Sequence, residues 1–208
     1  MLSIPRDLWV SLPGIGENRI NTAHFFAENR QPGSGPLATL ETIRENFGVD
    51  VHYYVRVQFA GIEELVDALG GIEIILEERM AGYPPGNHHL SGEQALAFVR
   101  NRQGTDDFFR MAHGQFFIKQ LFKQILKPST WPRIPSALPV FFRSIDTNIP
   151  VWVWPRILFT IIRCGPDRID SRLVSRDMTT ASVTTEGAQF LIPDWTKILP
   201  LIREMFGD

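Results

Sequence analysis

The chain contains a single cysteine and only four lysines among its 21 basic residues. One cysteine, Cys164, excludes an intrachain disulfide and fits either a cytosolic protein or a disulfide-free extracytoplasmic one. The formal net charge of −2 excludes the broad basic surface by which many proteins bind nucleic acid. The excess of arginine over lysine favours an anionic ligand, because planar guanidinium groups bind phosphate and carboxylate through paired hydrogen bonds.

Signatures of several enzyme classes are also missing. The sequence has no GxSxG elbow, no HExxH pair, no P-loop and no clustered cysteines, which argues against the hydrolases and NTPases that depend on these motifs. The most apolar run, from Ile149 to Cys164, is interrupted by Pro150, Pro155 and Arg156. It is too short to span a bilayer.

What is present is an ordinary globular composition. The 208 residues are 44% hydrophobic and 21% charged, which is enough for one sizeable core. There are no repeats, low-complexity tracts or dividing linkers, so we expect a single domain over residues 1–208. Because the chain begins at once on the strand-like Leu2–Ile4, we also expect it to be a fragment of a longer protein.

The order of apolar periodicities predicts an α/β fold. Alternation from Val51 to Phe59 predicts a half-buried strand, Ile62 to Leu69 a helix, and Ile72 to Leu76 a further strand, which together make a right-handed crossover. Other predicted elements are helices from Arg19 to Asn29, Leu37 to Phe47, Ser91 to Arg100, Asp106 onward, Phe117 to Leu126 and Asp194 to Phe206, and late strands over 168–177 and 181–192. The His88-His89 pair has no spaced partners, and we assign it no metal.

The segment from Leu90 to Gln115 concentrates charge around one turn. Ser91 begins a helix that ends near Arg100 and Arg102, and a second helix carries Asp107 and Arg110 three residues apart. Residues two apart on a helix point about 200° apart, so Arg100 and Arg102 can serve one ligand only if the helix unwinds around Arg100. The alternative is that these charges decorate solvated helix ends.

Two further regions permit two interpretations each. Arg6 and Asp7 follow a strand that Pro5 ends, where open α/β sheets bind ligands, or they form a surface ion pair on a loop. The aromatic, proline-broken region from Trp131 to Ile162 is ordinary core or the wall of an apolar ligand channel.

Several segments, taken in order, resemble the LytR-CpsA-Psr family of cell-envelope phosphotransferases. They are Leu2–Asp7, Arg19–Ala23, Val66–Ile72, Leu90–Leu96 continuing through Arg100-Asn101-Arg102, and Asp106–Arg110. The resemblance is well defined from Met1 to about Leu126. It implies a three-layer α/β/α sandwich with a central mixed sheet. It also implies that the domain binds a polyprenyl-linked pyrophosphate whose lipid tail lies in a hydrophobic tunnel, and that Trp131 to Ile162 form part of the tunnel wall.

The resemblance also implies roles for individual residues. Arg6, Arg100, Arg102 and Arg110 would hold the pyrophosphate, so that arginines from two distant parts of the chain meet at one pocket. Asp107 and Arg110 would be catalytic, Asp107 either orienting the arginines or assisting the acceptor hydroxyl. The supporting residues would be Asp7, Arg19, Asn21 and Gln115. The expected cofactor is Mg²⁺, whose acidic ligands would lie upstream of Met1.

The implied reaction moves a glycopolymer such as teichoic acid from a polyprenyl-pyrophosphate carrier to peptidoglycan or another envelope glycan. It would take place on the extracytoplasmic face of the bacterial membrane, with an N-terminal anchor upstream and no nucleic-acid partner. Phe109, Gly114 and Gln58 stand where the family usually has glycine, glutamine and aspartate. A polyprenyl-pyrophosphate-binding domain with weak turnover, or only pyrophosphatase activity, therefore stays open as the alternative.

Overall fold

The computed structural model describes residues 1–101 and 107–207. The helices are α1 (Asn21–Arg30), α2 (Gly35–Phe47), α3 (Phe59–Ala68), α4 (Gly92–Arg100), α5 (Asp107–Leu126), α6 (Ile134–Ser144), α7 (Trp154–Cys164) and α8 (Trp195–Phe206). The strands are β1 (Leu2–Ser3), β2 (Trp9–Leu12), β3 (Gly16–Arg19), β4 (Val55–Val57), β5 (Ile72–Leu76), β6 (Gly86–Leu90), β7 (Ile145–Thr147), β8 (Arg172–Leu173), β9 (Thr179–Val183) and β10 (Gln189–Pro193). Interspersed helices and strands confirm the α/β class.

The chain forms two compact units, each with its own hydrophobic core. Unit 1 comprises Met1 and Val55–Arg172, and unit 2 comprises Leu2–Tyr54 and Leu173–Asp208. The expectation of a single domain stays a prediction.

Unit 2 is built around two antiparallel hairpins. β2 pairs with β3, and β9 pairs with β10. A parallel bridge between Leu8 and Leu191 joins the hairpin of β9 and β10 to the segment before β2. Helices α1, α2 and α8 contribute apolar side chains to the core, whose buried members are Leu8, Val10, Leu12, Ile20, Ala23, Phe47, Val174, Ile198 and Ile202.

Unit 1 is built around the antiparallel pair β5 and β6 with helices α3, α4 and α5. Alternate residues of β5 are buried, as a half-buried strand requires. The buried core residues are Val66, Ile72, Ile74, Leu76, Leu90, Ala95, Phe98 and Phe117. None of the helices within the described residues is long and apolar enough to cross a membrane.

Local signals place several helix ends where the sequence predicts them. At the start of α4, the Gln94 backbone N–H donates to the Ser91 hydroxyl at 3.3 Å and the Ser91 N–H donates to the Gln94 side chain at 3.0 Å. The Asp194 carboxylate accepts from the Thr196 N–H at 3.1 Å and starts α8. Both N-caps satisfy amides that have no partner inside their helices, which confirms both predictions.

The strand pairing differs from the prediction. β4 is shorter than the alternating segment from Val51 to Phe59 and pairs antiparallel with β7. β5 pairs antiparallel with β6, which lies where no strand is predicted. The described strands therefore do not form the predicted parallel crossover. The pattern identified strand-forming residues but not their partners, because β4 pairs with a segment about 90 residues away along the chain.

Candidate functional site

The first group of predicted site residues lies in unit 2, in the turn that follows β1. The Arg6 Nε donates to Asp7 Oδ2 at 3.3 Å, and Arg19 Nη1 lies 3.5 Å from Asp7 Oδ1. Arg19 reaches Asp7 because the hairpin of β2 and β3 pairs Trp9 with Arg19 and so returns the chain to the turn. One carboxylate thus holds two guanidinium groups close together.

The backbone around this turn is fixed by hydrogen bonds. The N–H of Asn21 donates to the Arg6 carbonyl at 3.2 Å, and the N–H of Leu191 donates to the Asp7 carbonyl at 2.9 Å. The Asp7 Oδ1 atom is buried and accepts no hydrogen bond from the described residues. The structure therefore brings together four predicted residues: Arg6, Asp7, Arg19 and Asn21.

The second group lies in unit 1, at the end of α4. That helix ends at Arg100, and Asn101 has a non-helical backbone with ψ 127°. The hypothesis that Arg100 and Arg102 serve one ligand requires this ending. The Arg100 guanidinium lies over the Phe59 ring, 5.2 Å from its centroid. This cation–π contact limits the directions that the side chain can take. Arg102 itself lies outside the described residues, as does Asp106.

The start of α5 carries the two predicted catalytic residues. Arg110 Nη2 donates to Asp107 Oδ1, and the two residues form an ion pair one helical turn apart on α5. Both side chains are more than three-quarters buried, with exposed fractions of 23% and 22%. The prediction allowed solvated charges as the alternative, but a pair this buried is held more rigidly than a surface pair.

The next turn of α5 contains two buried polar residues, His113 and Gln115. Gln115 is buried, and its amide donates to the Arg172 carbonyl at 2.7 Å. Its side chain thus fixes the backbone of a following segment, while its predicted supporting role toward a ligand stays a prediction. Gln115 and Arg110 point about 140° apart on the helix, since they are five residues apart.

His113 is a buried titratable residue that the sequence analysis did not single out. Its ring lies 5.7 Å from that of Phe98, and its Nδ1 finds no hydrogen-bond partner among the described residues. Burial lowers the pKa of His113, because the charged form loses hydration. No sequence signal identifies this environment, since it depends on the packing of α4 against α5.

The His113 environment predicts a pH dependence of stability. The unfolded chain takes up a proton near pH ~6.5, whereas the folded chain resists it, so the free energy of unfolding falls as the pH drops from about 7 to about 5. We expect His113→Leu to lose less thermal stability over that interval than the unmodified chain, and His52→Gln, at an exposed position, to behave like the unmodified chain. Thermal denaturation at both ends of that pH interval, followed by circular dichroism, measures the loss of stability for each of the three proteins. Equal losses in all three proteins would contradict this assignment.

Two of the motif segments meet through Asp67. The N–H of Gly92, at the start of α4, donates to Asp67 Oδ1 at 2.7 Å. A Cβ at position 92 would lie 2.2 Å from the Glu63 carbonyl oxygen. Glycine therefore lets α4 approach α3 closely, and the carboxylate at its positive end stabilises the helix dipole. This contact positions α4, and hence Arg100 at its far end.

Unit 1 also contains a charged cavity of about 860 Å³. Lys119 and Lys123 lie one turn apart on α5, and Lys127 follows the last residue of that helix. All three line the cavity. Lys127 pairs with Glu73, and Lys123 pairs with Asp167 at 2.5 Å. The hydrogen bond and charge of Lys127 lower the pKa of Glu73. Because the charges of both signs largely pair with one another, the cavity indicates no particular ligand.

Among the described residues, no group of three or more histidine, cysteine, aspartate and glutamate side chains could hold a metal ion. Asp7 Oδ1 supplies one buried oxygen, but it already faces Arg19. The described residues therefore do not form a Mg²⁺ site by themselves. The prediction that Arg6 shares a ligand with Arg100, Arg102 and Arg110 also stays a prediction.

The sequence profile of the LytR_cpsA_psr family matches residues 1–205. The chain belongs to this family. The matched range includes every predicted site residue of this LytR_cpsA_psr chain, from Arg6 to Gln115, and it extends the resemblance well beyond Leu126.

Two relatives show how much of the protein is matched. The chain is 36% identical over 155 residues to the polyisoprenyl-teichoic acid–peptidoglycan teichoic acid transferase TagU of Oceanobacillus iheyensis, covering 72% of this chain and 48% of the relative. It is 30% identical over 158 residues to the regulatory protein MsrR of Staphylococcus aureus, covering 72% and 46%. This LytR_cpsA_psr chain thus spans about half the length of the curated relatives it matches.

Solved structures of low sequence identity share the fold. The crystal structure of B. subtilis TagV matches with a TM-score of 0.76 at 23% identity, covering 99% of this chain and 82% of that one. TagT bound to LI-WTA matches with a TM-score of 0.72 at 19% identity, covering 100% and 79%. These matches confirm the fold class predicted for the LytR_cpsA_psr chain.

Proposed function

We propose that this domain belongs to a phosphotransferase that moves a glycopolymer from a polyprenyl-pyrophosphate carrier to peptidoglycan or another cell-envelope glycan. Family membership carries the proposal, together with the TagU relative, whose name states a transfer of teichoic acid from a polyisoprenyl carrier to peptidoglycan. The reaction would take place at the extracytoplasmic face of the membrane, where both the lipid carrier and the wall are accessible. An anchor upstream of the domain is part of the same proposal.

The buried ion pair of Asp107 and Arg110 is the structural observation that best supports this chemistry. Phosphoryl transfer depends mainly on positioning and on neutralising the charge of the phosphates. An arginine already oriented by a carboxylate loses little conformational freedom when it binds an anion. Arg110 therefore suits a pyrophosphate better than an exposed, unrestrained lysine would.

The residues divide the work as follows. Arg6, Arg100, Arg102 and Arg110 neutralise the pyrophosphate. Asp7 orients Arg6, and Arg19 pairs with the other oxygen of the same carboxylate. The acceptor hydroxyl attacks the phosphorus that carries the glycan, and the bond from that phosphorus to the bridging oxygen breaks. Polyprenyl phosphate leaves with the bridging oxygen, and the hydroxyl proton goes to Asp107 or to solvent. Asp107 orients Arg110 or accepts the hydroxyl proton, so both alternatives of the sequence analysis stay open.

Magnesium remains part of the proposal, as a cation that the pyrophosphate oxygens would bind. Bound there, it would neutralise further phosphate charge. The described residues do not form its site, so we derive no step through it. If magnesium binds with the lipid pyrophosphate, chelation with EDTA should abolish turnover and added Mg²⁺ should restore it. Full turnover in EDTA would contradict a magnesium requirement.

The test of function is a product analysis with a polyprenyl-pyrophosphate-linked glycan and a peptidoglycan fragment as acceptor. Glycan joined to the acceptor, with polyprenyl phosphate released, supports the transferase. Hydrolysis to polyprenyl phosphate and free glycan phosphate, with no glycan on the acceptor, supports the alternative, a pyrophosphatase. Lipid binding with neither product would exclude the transferase and leave a binding domain.

A further inference from the structure

Helix α7 contains no buried residue. An isolated helix of this length is marginal in water and is normally stabilised by packing one apolar face. Three of its large apolar side chains are nevertheless about half exposed or more: Leu158, Phe159 and Ile162, the last two at 62% and 54%. α7 therefore carries apolar surface that the described residues do not cover.

One side of α7 does face the protein. Trp154, Ile157 and Ile161 are only partly exposed and lie within a sector of about 60° on the helix. The Trp154 ring packs edge-on against Phe141 at 5.3 Å and against Phe142 at 6.1 Å between centroids. These contacts attach α7 to α6 and fix which side of α7 points outward.

The outward side is divided into two strips. Leu158, Ile162 and Phe159 occupy the next sector of about 100°, and Arg156 and Arg163 lie together just beyond it, about 20° apart. Both arginines are exposed, and neither guanidinium has a hydrogen bond or ion pair among the described residues. An exposed apolar strip beside a strip of unpaired cations is the arrangement of helices that lie in a membrane interface.

Exposed apolar side chains also occur on α6 and just before α7. On α6, Leu138 and Phe142 are one turn apart and about half exposed, and Trp152, just before α7, is 80% exposed. We define the α6–α7 surface by its exposed apolar members: Leu138, Phe142, Trp152, Leu158, Phe159 and Ile162. Such a concentration of large apolar side chains marks an interaction surface.

The charge of this segment differs in sign from that of the rest of the chain. Residues 128–164 contain four arginines, no lysine and one aspartate, a net charge of +3. Because the whole chain carries −2, the remaining residues carry −5. Only one of the chain's 23 acidic residues lies in this segment, so its positive charge results from the near absence of acidic residues beside the exposed apolar side chains. Tryptophan and arginine together are typical of groups at the boundary between lipid headgroups and acyl chains.

We propose that the α6–α7 surface docks onto an anionic phospholipid bilayer. Trp152, Phe159 and Ile162 enter the headgroup–acyl boundary, and Arg156 and Arg163 bind lipid phosphates. A single lipid tail needs only apolar contacts, whereas Arg156 and Arg163, two turns apart on α7, provide two separate cationic groups beside the apolar strip. A second copy of the chain does not fit either, since it would bring a second segment of charge +3 against the first.

The test is co-sedimentation of the 208-residue chain with vesicles of phosphatidylcholine alone or with phosphatidylglycerol as about one third of the lipid. We expect binding to the anionic vesicles that weakens as salt is added. The double variant Trp152→Ser/Phe159→Ser should reduce the partition coefficient by at least about tenfold. Arg156→Gln/Arg163→Gln should reduce binding to anionic vesicles by about the same factor.

The matched control is Phe25→Ser/Leu37→Ser, which removes two side chains of similar exposure from α1 and α2 and should leave vesicle binding unchanged. No binding by the unmodified chain, or equal loss in the control, would overturn the proposal. Light scattering tests the rival occupant, a second copy of the chain. If the unmodified chain is a dimer that does not bind vesicles, and Trp152→Ser/Phe159→Ser makes it a monomer, the surface binds a second copy. The vesicles contain no polyprenyl phosphate, so the result is independent of the proposed enzymatic function.

Discussion

Replacement of Arg110 with alanine is expected to lower glycan transfer by about 100- to 1,000-fold, the loss typical when a preorganised donor to a reacting anion is removed. The reason is that Arg110 is largely buried and already oriented by Asp107, so no mobile side chain or solvent molecule substitutes for it. Arg110→Lys keeps the charge but loses the planar fork, and we expect it to recover only part of the activity. Steady-state rates of glycan transfer measure the activity of both variants.

Arg44→Ala provides the matched control, because Arg44 is an exposed arginine on α2. We expect its transfer rate to stay within about threefold of that of the unmodified chain. Asp107→Asn should lower the rate as well, since Arg110 then loses its charged partner. Thermal denaturation of each variant separates lost chemistry from lost folding. Normal transfer by a folded Arg110→Ala protein would remove Arg110 from the site.

Replacement of Gly92 with alanine is expected to destabilise the fold by roughly 3 kcal/mol or more. The new Cβ would lie 2.2 Å from the Glu63 carbonyl oxygen and 2.7 Å from Asp67 Oδ2. A backbone carbonyl cannot move away without displacing α3, and that displacement also breaks the hydrogen bond from Gly92 to Asp67. In a chain of this size we expect the thermal midpoint to fall by about 6–12 °C.

Gly114→Ala is the control, and it is expected to change stability in the opposite direction. Gly114 lies inside α5, where an added Cβ meets no atom within 4 Å. Because glycine weakens a helix interior, alanine should raise stability by about 0.5–1 kcal/mol. Chemical denaturation gives the free energy of unfolding for both variants. If Gly92→Ala were as stable as Gly114→Ala, the close approach of α3 and α4 would be wrong.

Features decided by residues close in sequence could be predicted. The start of α4 depends on Ser91 and Gln94, three residues apart, and the start of α8 on Asp194 and Thr196. Arg6 could also be grouped with Asp7, since the two residues are adjacent at the end of a predicted strand.

Features decided by residues that are distant in the sequence could not be predicted. β6 contains Asn87, His88 and His89, a polar sequence that forms a strand only because β5 pairs with it. The contact of Arg100 with Phe59 depends on how α3 and α4 pack, which no spacing in the sequence reveals. Gly92 was visible as part of a motif, but its physical reason, the nearby Glu63 carbonyl, appears only in the folded chain.

The most direct test compares the affinity of the 208-residue chain for a short-chain polyprenyl pyrophosphate and for the matching polyprenol by isothermal titration calorimetry. If guanidinium groups recognise the pyrophosphate, the charged lipid should bind at least about 100-fold more tightly than the alcohol, and Arg110→Ala should remove most of the difference. Equal affinity for the two lipids, or a difference that Arg110→Ala leaves intact, would contradict the assignment of these arginines to pyrophosphate binding.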